Sequence, residues 1–407
     1  MRTTAVLFGL LCLTATAHAD DAGRTPVTLA EALAAVPRAP AAAVGGYEIA
    51  AAEAGVDAAG AWPAPSLHAQ SNRLTARVVA GITLPLPIFG TVGAAERTAN
   101  AEMQVVRAQT ELTRRELRHR VVQAWVELAR TDADVTAASI TAQQAAELEM
   151  IAKGRLSAGV GADVDVTVAG AARARAEIAV ASAERAEDAA SAILAGVLGW
   201  DPTRRLRADG PLVTTPTVAA LETLRQRLAE HPEHALALRR LIAAQANVDE
   251  TRVQRWPSLA LEGEVLLDDP TNEHKTDVMV GIAIELPLFS HIGDRVRMAR
   301  ALEDVQRARL AVTDTELGAG LVVAFRRWQA ASDRLQAIER DVVPAQERAA
   351  ALSATAYREG ARDLASALQA ERDLAAVRAD RNAARADAAG AYADLQLAVG
   401  DEVGDAR

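Results

Sequence analysis

Two windows of this chain alternate apolar and polar residues, and nearly everything between them repeats apolar residues at a helical period. In the first window Val78, Ala80, Ile82, Leu84 and Leu86 fall on one side of a strand. In the second, Leu259, Leu261, Val265 and Leu267 point one way while Glu262 and Glu264 point the other. After a polar turn at 268–275, Val278, Val280, Ile282, Ile284 and Leu286 share a face opposite Met279, Gly281, Ala283 and Glu285. Such alternation predicts one hairpin of half-buried strands in each window. Both windows stop at the same corner: Gly81-Ile-Thr-Leu-Pro-Leu-Pro-Ile-Phe89 and Gly281-Ile-Ala-Ile-Glu-Leu-Pro-Leu-Phe289 stand 200 positions apart, since 281 − 81 = 200. A strand that feeds a long helix through a fixed proline, twice, identifies an internal duplication.

The remaining elements fall into the same two copies. A short amphipathic piece at 28–36 ends at Pro37, and an Ala-rich helix at 41–61 stops before Trp62-Pro63; the counterparts are 218–228 and 233–255, closed by Trp256-Pro257. Proline ends each helix there. Beyond each corner the helical pattern continues over 92–153 and 292–352, roughly 60 residues or on the order of 90 Å at 1.5 Å per residue. Their seams coincide at the 200-residue offset: Leu117, Val121, Ala124, Leu128 and Val135 match Leu317, Leu321, Ala324, Trp328 and Leu335. Spacings of four and three predict coiled-coil packing. Pro344 predicts a kink or break in the second long helix. Each long helix ends at a glycine turn, Gly159-Val160-Gly161 or Gly360, and a return helix follows over 163–198 and 361–399. One short helix and one return helix together nearly equal one long helix, so end-to-end stacking beside it would give a uniform rod.

The expected organisation is therefore a signal peptide at 1–19; in repeat 1, helices at 20–61, a hairpin at 62–90 and a helical hairpin at 91–200; a linker at 201–217; in repeat 2, helices at 218–255, a hairpin at 256–290 and a helical hairpin at 291–400; and a tail at 401–407. The fold class is mainly α with a small β part.

Composition sharpens this. Aromatics are 3% and alanine is abundant, which suits close-packed helices better than a thick globular core. A net charge of −10 and the lack of any basic, aromatic-laced patch argue against a nucleic-acid partner. Arg2, the apolar run from Ala5 to Ala15 and Ala17-His18-Ala19 read as an export signal. The only cysteine, Cys12, lies inside it; the bulky Leu11 before it weighs against lipidation, and no disulfide or thiolate metal site is expected. His231 and His234, with Glu230 and Glu233 beside them, read as polar residues at a helix start rather than metal ligands. No catalytic set and no phosphate loop is visible, so neither an enzyme nor a cofactor is expected.

Strands of about ten residues with one apolar face have the length to cross a bilayer at a tilt. Four strands cannot close a barrel, and an open edge in lipid is not tolerated. Either the strands form a small sheet on helices in a soluble periplasmic scaffold, or several chains pool them in a membrane.

In this order of elements the sequence resembles the TolC family of outer-membrane efflux proteins. The resemblance covers nearly the whole chain after the signal. It rests on the duplicated succession of helix, Trp-Pro, hairpin, Leu-Pro-x-Phe, long helix, glycine turn and return helix. Supporting motifs are Arg155-Leu-Ser-Ala-Gly159 before Asp165-Val166, Tyr357-Arg-Glu-Gly360 before Asp363-Leu364, and Leu198-Gly-Trp-Asp-Pro202. The compact length and short hairpin turns look most like members paired with heavy-metal pumps of the resistance-nodulation-division class. The resemblance implies a homotrimer whose three chains contribute four strands each to one outer-membrane barrel in lipid, above a periplasmic helical tunnel. It also implies docking to a periplasmic adaptor (a membrane fusion protein) and, through it, to an inner-membrane pump. An exit duct for secreted polypeptide shares the same fold.

The resemblance places adaptor contacts on the tips, here Arg155, Leu156, Ser157, Gly159, Val160, Gly161, Arg358 and Gly360. It implies a gate in which Asp165 pairs with Arg362 with Tyr357 nearby. Where some members carry a ring of aspartates past the second tip, this chain has Ser366 and Gln369. If the apolar faces meet lipid, Glu262, Glu264 and Glu285 line the lumen. Trp62, Pro63, Pro87, Phe89, Trp256, Pro257, Pro287 and Phe289 are expected where barrel meets tunnel, the tryptophans as interface anchors or as plugs.

Overall fold

The computed structural model describes residues 23–72, 76–210, 212, 218–267, 276–287 and 291–401. The expected signal peptide with Cys12, the turn at 268–275 and Phe289 lie outside them.

Repeat 1 begins with strand β1 (Thr25–Val27), helix α1 (Leu29–Ala35) and a 3-10 turn at Val36–Arg38. Thr28 and Glu31 form a capping box at the start of α1, which satisfies two of the amide donors a helix start leaves free. Helix α2 (Pro40–Gly60), strands β2 (Ser66–Asn72) and β3 (Ala76–Leu86), and helices α3 (Thr91–Ser157) and α4 (Asp163–Leu198) follow. Strand β4 (Leu206–Ala208) leads to repeat 2, which comprises α5 (Leu221–Gln226), a 3-10 turn, α6 (Pro232–Val253), β5 (Ser258–Leu267), β6 (Thr276–Glu285), α7 (Ile292–Ala337), a π-turn at Ile338–Val342, α8 (Val343–Arg358) and α9 (Leu364–Val399).

Helix α3, with 67 residues, is about 100 Å long and is the spine: α2, α4, α6 and α9 all pack on it, and α7 packs on α6 and α9. The seam is buried as its period demands. Leu117, Val121, Ala124 and Leu128 are buried, and so are Leu317, Leu321, Ala324 and Leu335. Trp125 fills the centre of the largest core and donates its indole N–H to the Val27 carbonyl at 2.9 Å.

The end-to-end stacking is realised in both copies. Gly199, which ends α4 at φ +72°, abuts Pro40 at the start of α2, so closely that a Cβ would overlap the proline ring. Gly400, which ends α9 at φ +83°, leaves only 2.8 Å for a Cβ before His231 and 2.9 Å before Pro232, at the start of α6. A positive φ and a neighbouring helix start both demand glycine there.

The structure adds detail to two sequence expectations. The segment 201–217 is more than a linker: β4 within it pairs in parallel with β1, Thr25 against Leu206. A three-residue strand leaves no alternation to detect. At Pro344, where a kink or break is expected, the α-helix is interrupted. The turn just before it widens to π geometry, and Pro344 lies in the first turn of α8. Proline supplies no N–H and crowds the carbonyl four residues back, and a π-turn relieves both. The turn also absorbs a residue. The seams match at an offset of 200, 317 − 117, but the tip glycines match at 201, 360 − 159. The added residue falls in the interval that holds the π-turn.

Candidate functional sites at the sheet and the helical tips

The four longer strands form one antiparallel sheet in the order β2-β3-β5-β6, so the two hairpins join through β3 and β5. The register puts Leu84 opposite Leu261 and Ile82 opposite Gly263 between the repeats, and Leu261 opposite Ile282 within the second hairpin. The aliphatic residues thus share one face, as alternation predicts. That face is bare: Val280 is 76% and Ile282 68% exposed. The other face carries Glu262 opposite Thr83, Glu264 opposite Gly81, and Glu285 opposite Ser258, whose hydroxyl donates to it at 3.1 Å. The three expected glutamates therefore share the polar face. His68 was not anticipated there. It stands opposite Gly81, and its Nε2 reaches Glu264 Oε1 at 3.2 Å. A glycine inside a strand was the available signal, since it marks close approach of a neighbour. Among the described residues, no helix is long and apolar enough to cross a membrane.

At one end of the sheet the junction residues gather. The β3–β5 ladder closes at Leu86 opposite Leu259; Pro87 follows, and Ile88 N–H turns back to the Leu86 carbonyl at 2.9 Å. Phe89 stacks on Trp256 with ring centroids 5.8 Å apart and planes 10° from parallel. Trp62 donates its indole N–H to the Pro85 carbonyl at 3.1 Å, and the Arg255 guanidinium lies 5.7 Å from the Trp256 ring centre. Pro63, Pro87, Trp256, Pro257 and Pro287 line one open depression of about 430 Å³. Trp62 and Trp256 are both exposed in the single chain.

The helical hairpins turn at the opposite end of α3. Gly159 at φ +73° and Gly360 at φ +81° close matching Schellman caps: Val160 N–H to the Arg155 carbonyl at 3.0 Å, and Ala361 N–H to the Ala356 carbonyl at 2.8 Å. Gly161 is held by space instead, since a Cβ there would come within 2.7 Å of the Leu156 amide nitrogen. Leu156 and Val160 are exposed; Ser157 donates its hydroxyl to the Gly154 carbonyl at 2.8 Å; Arg358 pairs with Glu147 at 2.8 Å.

The expected Asp165–Arg362 pair is not formed within the chain. Arg362 is exposed beyond the turn, beside Asp363, whose carboxylate caps α9. Tyr357 is buried, at 1% exposure, among Leu148, Ala152, Leu364 and Leu368. Burial pushes its phenol pKa above the ordinary value, and the Asp165 carboxylate adds to that while Arg155 opposes it. Arg155 is the cation that occupies this site. Its guanidinium donates to the Tyr357 carbonyl at 2.9 Å and sits 5.2 Å from the tyrosine ring centre. The resemblance places Arg155 among docking residues, and nothing local in the sequence marks a contact 202 positions away.

His231 caps α6. Its Nδ1 accepts from Glu233 N–H at 3.1 Å, and its Nε2 donates to the Leu397 carbonyl at 3.1 Å. Burial holds its pKa below 6.5, partly offset by that carbonyl. His234 reaches Asp314 at 2.6 Å and ties α6 to α7. Among the described residues, no three His, Cys, Asp or Glu side chains converge as a metal site.

The family model "Outer membrane efflux protein" matches residues 31–200 and 223–401. No curated protein matches the sequence. Solved structures do. The outer membrane protein VceC from Vibrio cholerae superimposes with a TM-score of 0.75 at 19% identity, over 92% of this chain and 96% of that one. CusC gives a TM-score of 0.76 at 16% identity, over 92% of each chain. The open state of the MtrE outer membrane channel from Neisseria gonorrhoeae gives 0.75 at 17% identity, over 92% of this chain and 89% of that one.

Proposed function

This chain belongs to the outer membrane efflux protein family, and from that membership we propose that it is the exit channel of a tripartite efflux system, a passive homotrimeric duct. The observation that carries the reading is the sheet. It has two unpaired edges, β2 and β6, one exposed aliphatic face and one polar face. Alone it cannot sit in lipid, because each unpaired backbone group there costs several kcal/mol. Three copies joined edge to edge give a twelve-stranded barrel with aliphatic residues toward lipid and Glu262, Glu264 and Glu285 toward the lumen. Threefold repetition makes these part of a hydrated, acidic pore wall.

The helices then hang below as a tunnel of about 100 Å. The tips at Gly159 and Gly360 meet a periplasmic adaptor, and through it an inner-membrane pump of the resistance-nodulation-division class. Asp165 and Arg362 pair between neighbouring chains in this reading, since Arg362 faces outward from its own.

Fractionation tests it. A heat-resistant trimer in the outer membrane is the expected result; a soluble monomer overturns the channel. A deletion strain profiled across metal salts, dyes and antibiotics then identifies the cargo class. Loss of a secreted polypeptide with unchanged sensitivities would reassign the duct to protein secretion.

A further inference from the structure

We propose that the depression at the joint binds a phospholipid, whose phosphate is held by Arg255 and Arg295 and whose acyl chains rise along the aliphatic face of the sheet. The inference rests on the channel reading above, which sets this joint at the periplasmic surface of the membrane. The depression is continuous with the aliphatic face. Leu86 and Leu259, the pair that closes the β3–β5 ladder, belong to that face and also line the depression. Its volume of about 430 Å³ falls in the range of small-molecule sites. Pro63, Pro87, Pro257 and Pro287 line it as well. Proline has no N–H, so irregular backbone at these positions presents hydrocarbon and no orphan donor to a lipid chain.

The charge stands at the rim. Arg295 lines the depression, and the Arg255 guanidinium lies 5.7 Å from the ring centre of Trp256, which is itself part of the wall. Both arginines are exposed, and among the described residues neither has an ion-pair partner. Arg252 and Arg297 close by are taken up by Asp249 and Asp294. Glu285 also lines the depression, but its carboxylate accepts from the Ser258 hydroxyl at 3.1 Å on the polar face. A free guanidinium beside an apolar wall matches a phosphate that carries hydrocarbon, since its planar fork bonds two phosphate oxygens at once. The duplication shows that the fold does not demand these cations. The corner offset of 200 sets Ala95 where Arg295 stands (295 − 200 = 95), and the Trp-Pro offset, 256 − 62 = 194, sets Ala61 where Arg255 stands. Repeat 1 builds the same joint with two methyl groups.

The test strips lipid from purified trimers in detergent, titrates them with phosphatidylglycerol and counts adducts by native mass spectrometry. Wild type is compared with the Arg255→Gln, Arg295→Gln double variant and with Arg297→Gln as a control. Loss of charge-assisted contacts should weaken binding by about tenfold. We expect that loss in the double variant, wild-type binding in the control, and no displacement of the lipid by inorganic phosphate at the same concentration. Equal binding by wild type and the double variant overturns the site, and so does an equal loss in Arg297→Gln, which would reduce the effect to net charge. Displacement by inorganic phosphate overturns the lipid as occupant in favour of the free anion. If the double variant yields no trimer, the two single variants decide by the same readout. A wild-type trimer that fractionates outside the outer membrane refutes the channel reading instead, whatever lipid it binds.

Discussion

His68 and Glu264 meet across Gly81, one from each repeat, with 3.2 Å between Nε2 and Oε1 over a position that has no side chain. A Cβ on Gly81 would come within 2.5 Å of the imidazole and 3.0 Å of the Glu264 stem. The duplicate position, Gly281, has nothing within 4 Å. Gly81→Ala should therefore displace the histidine and lower trimer stability by about 1 kcal/mol, whereas Gly281→Ala should be silent. The dissociation temperature of each trimer on a gel separates the two; equal effects would show that the pairing contributes nothing.

At the joint, Phe89 and Trp256 stack between the repeats, and aromatic pairs add about 0.5–1.5 kcal/mol beyond burial. Trp256→Ala should reduce assembled trimer more than Trp62→Ala, whose main loss is one indole hydrogen bond to Pro85. The Pro87→Ala, Pro287→Ala double variant should assemble poorly as well, because nothing then stops strand pairing at the corner. Quantitative blots of outer-membrane trimer check all three, and normal assembly of the double variant would show that the joint needs no proline.

Acid should loosen the start of α6. His231 is held neutral by burial, with its pKa below 6.5. A lowered pKa means the unfolded chain binds the proton more tightly, so this stabilisation is complete above about pH 6.5 and is lost as pH falls through the folded-state value. Protonation also removes the Nδ1 lone pair that accepts Glu233 N–H. Thermal denaturation of the trimer between pH 7.5 and 5 should show this loss, and His231→Asn, which keeps a capping acceptor, should flatten it.

The π-turn yields a deletion test. Removing Arg340 should convert Ile338–Val342 to ordinary α-helix and leave both flanking faces in place, so the chain should still assemble. Removing Ser139 from the uninterrupted α3 should rotate everything beyond it by roughly 100° and destroy the tip core around Tyr357. Trimer yield compares the two, and equal tolerance would show that the π-turn absorbs nothing.

Much of this architecture was legible because it depends on local chemistry. Alternation assigned both faces of the sheet, prolines marked the ends of strands and short helices, and Gly159, Gly199 and Gly360 marked the ends of three long helices, each at positive φ. What escaped depends on contacts distant in sequence. Arg155 on Tyr357, His68 on Glu264 and β1 beside β4 join residues about 180 to 200 positions apart, and no periodicity reports such a meeting. Pro344 was read correctly as a disturbance. Its form was not legible, because the inserted residue shows only when offsets on either side of it are compared.

The two open strand edges also have a cost in transit. Before assembly, the described residues leave β2 and β6 at the sheet edges beside a bare aliphatic face, a ready template for pairing with another extended polypeptide. In the channel reading, barrel closure needs three chains to meet, so its rate falls steeply with dilution while off-pathway pairing needs only two. In that reading, the same edges that close the barrel set a race between assembly and aggregation, and dilution tilts it toward aggregation.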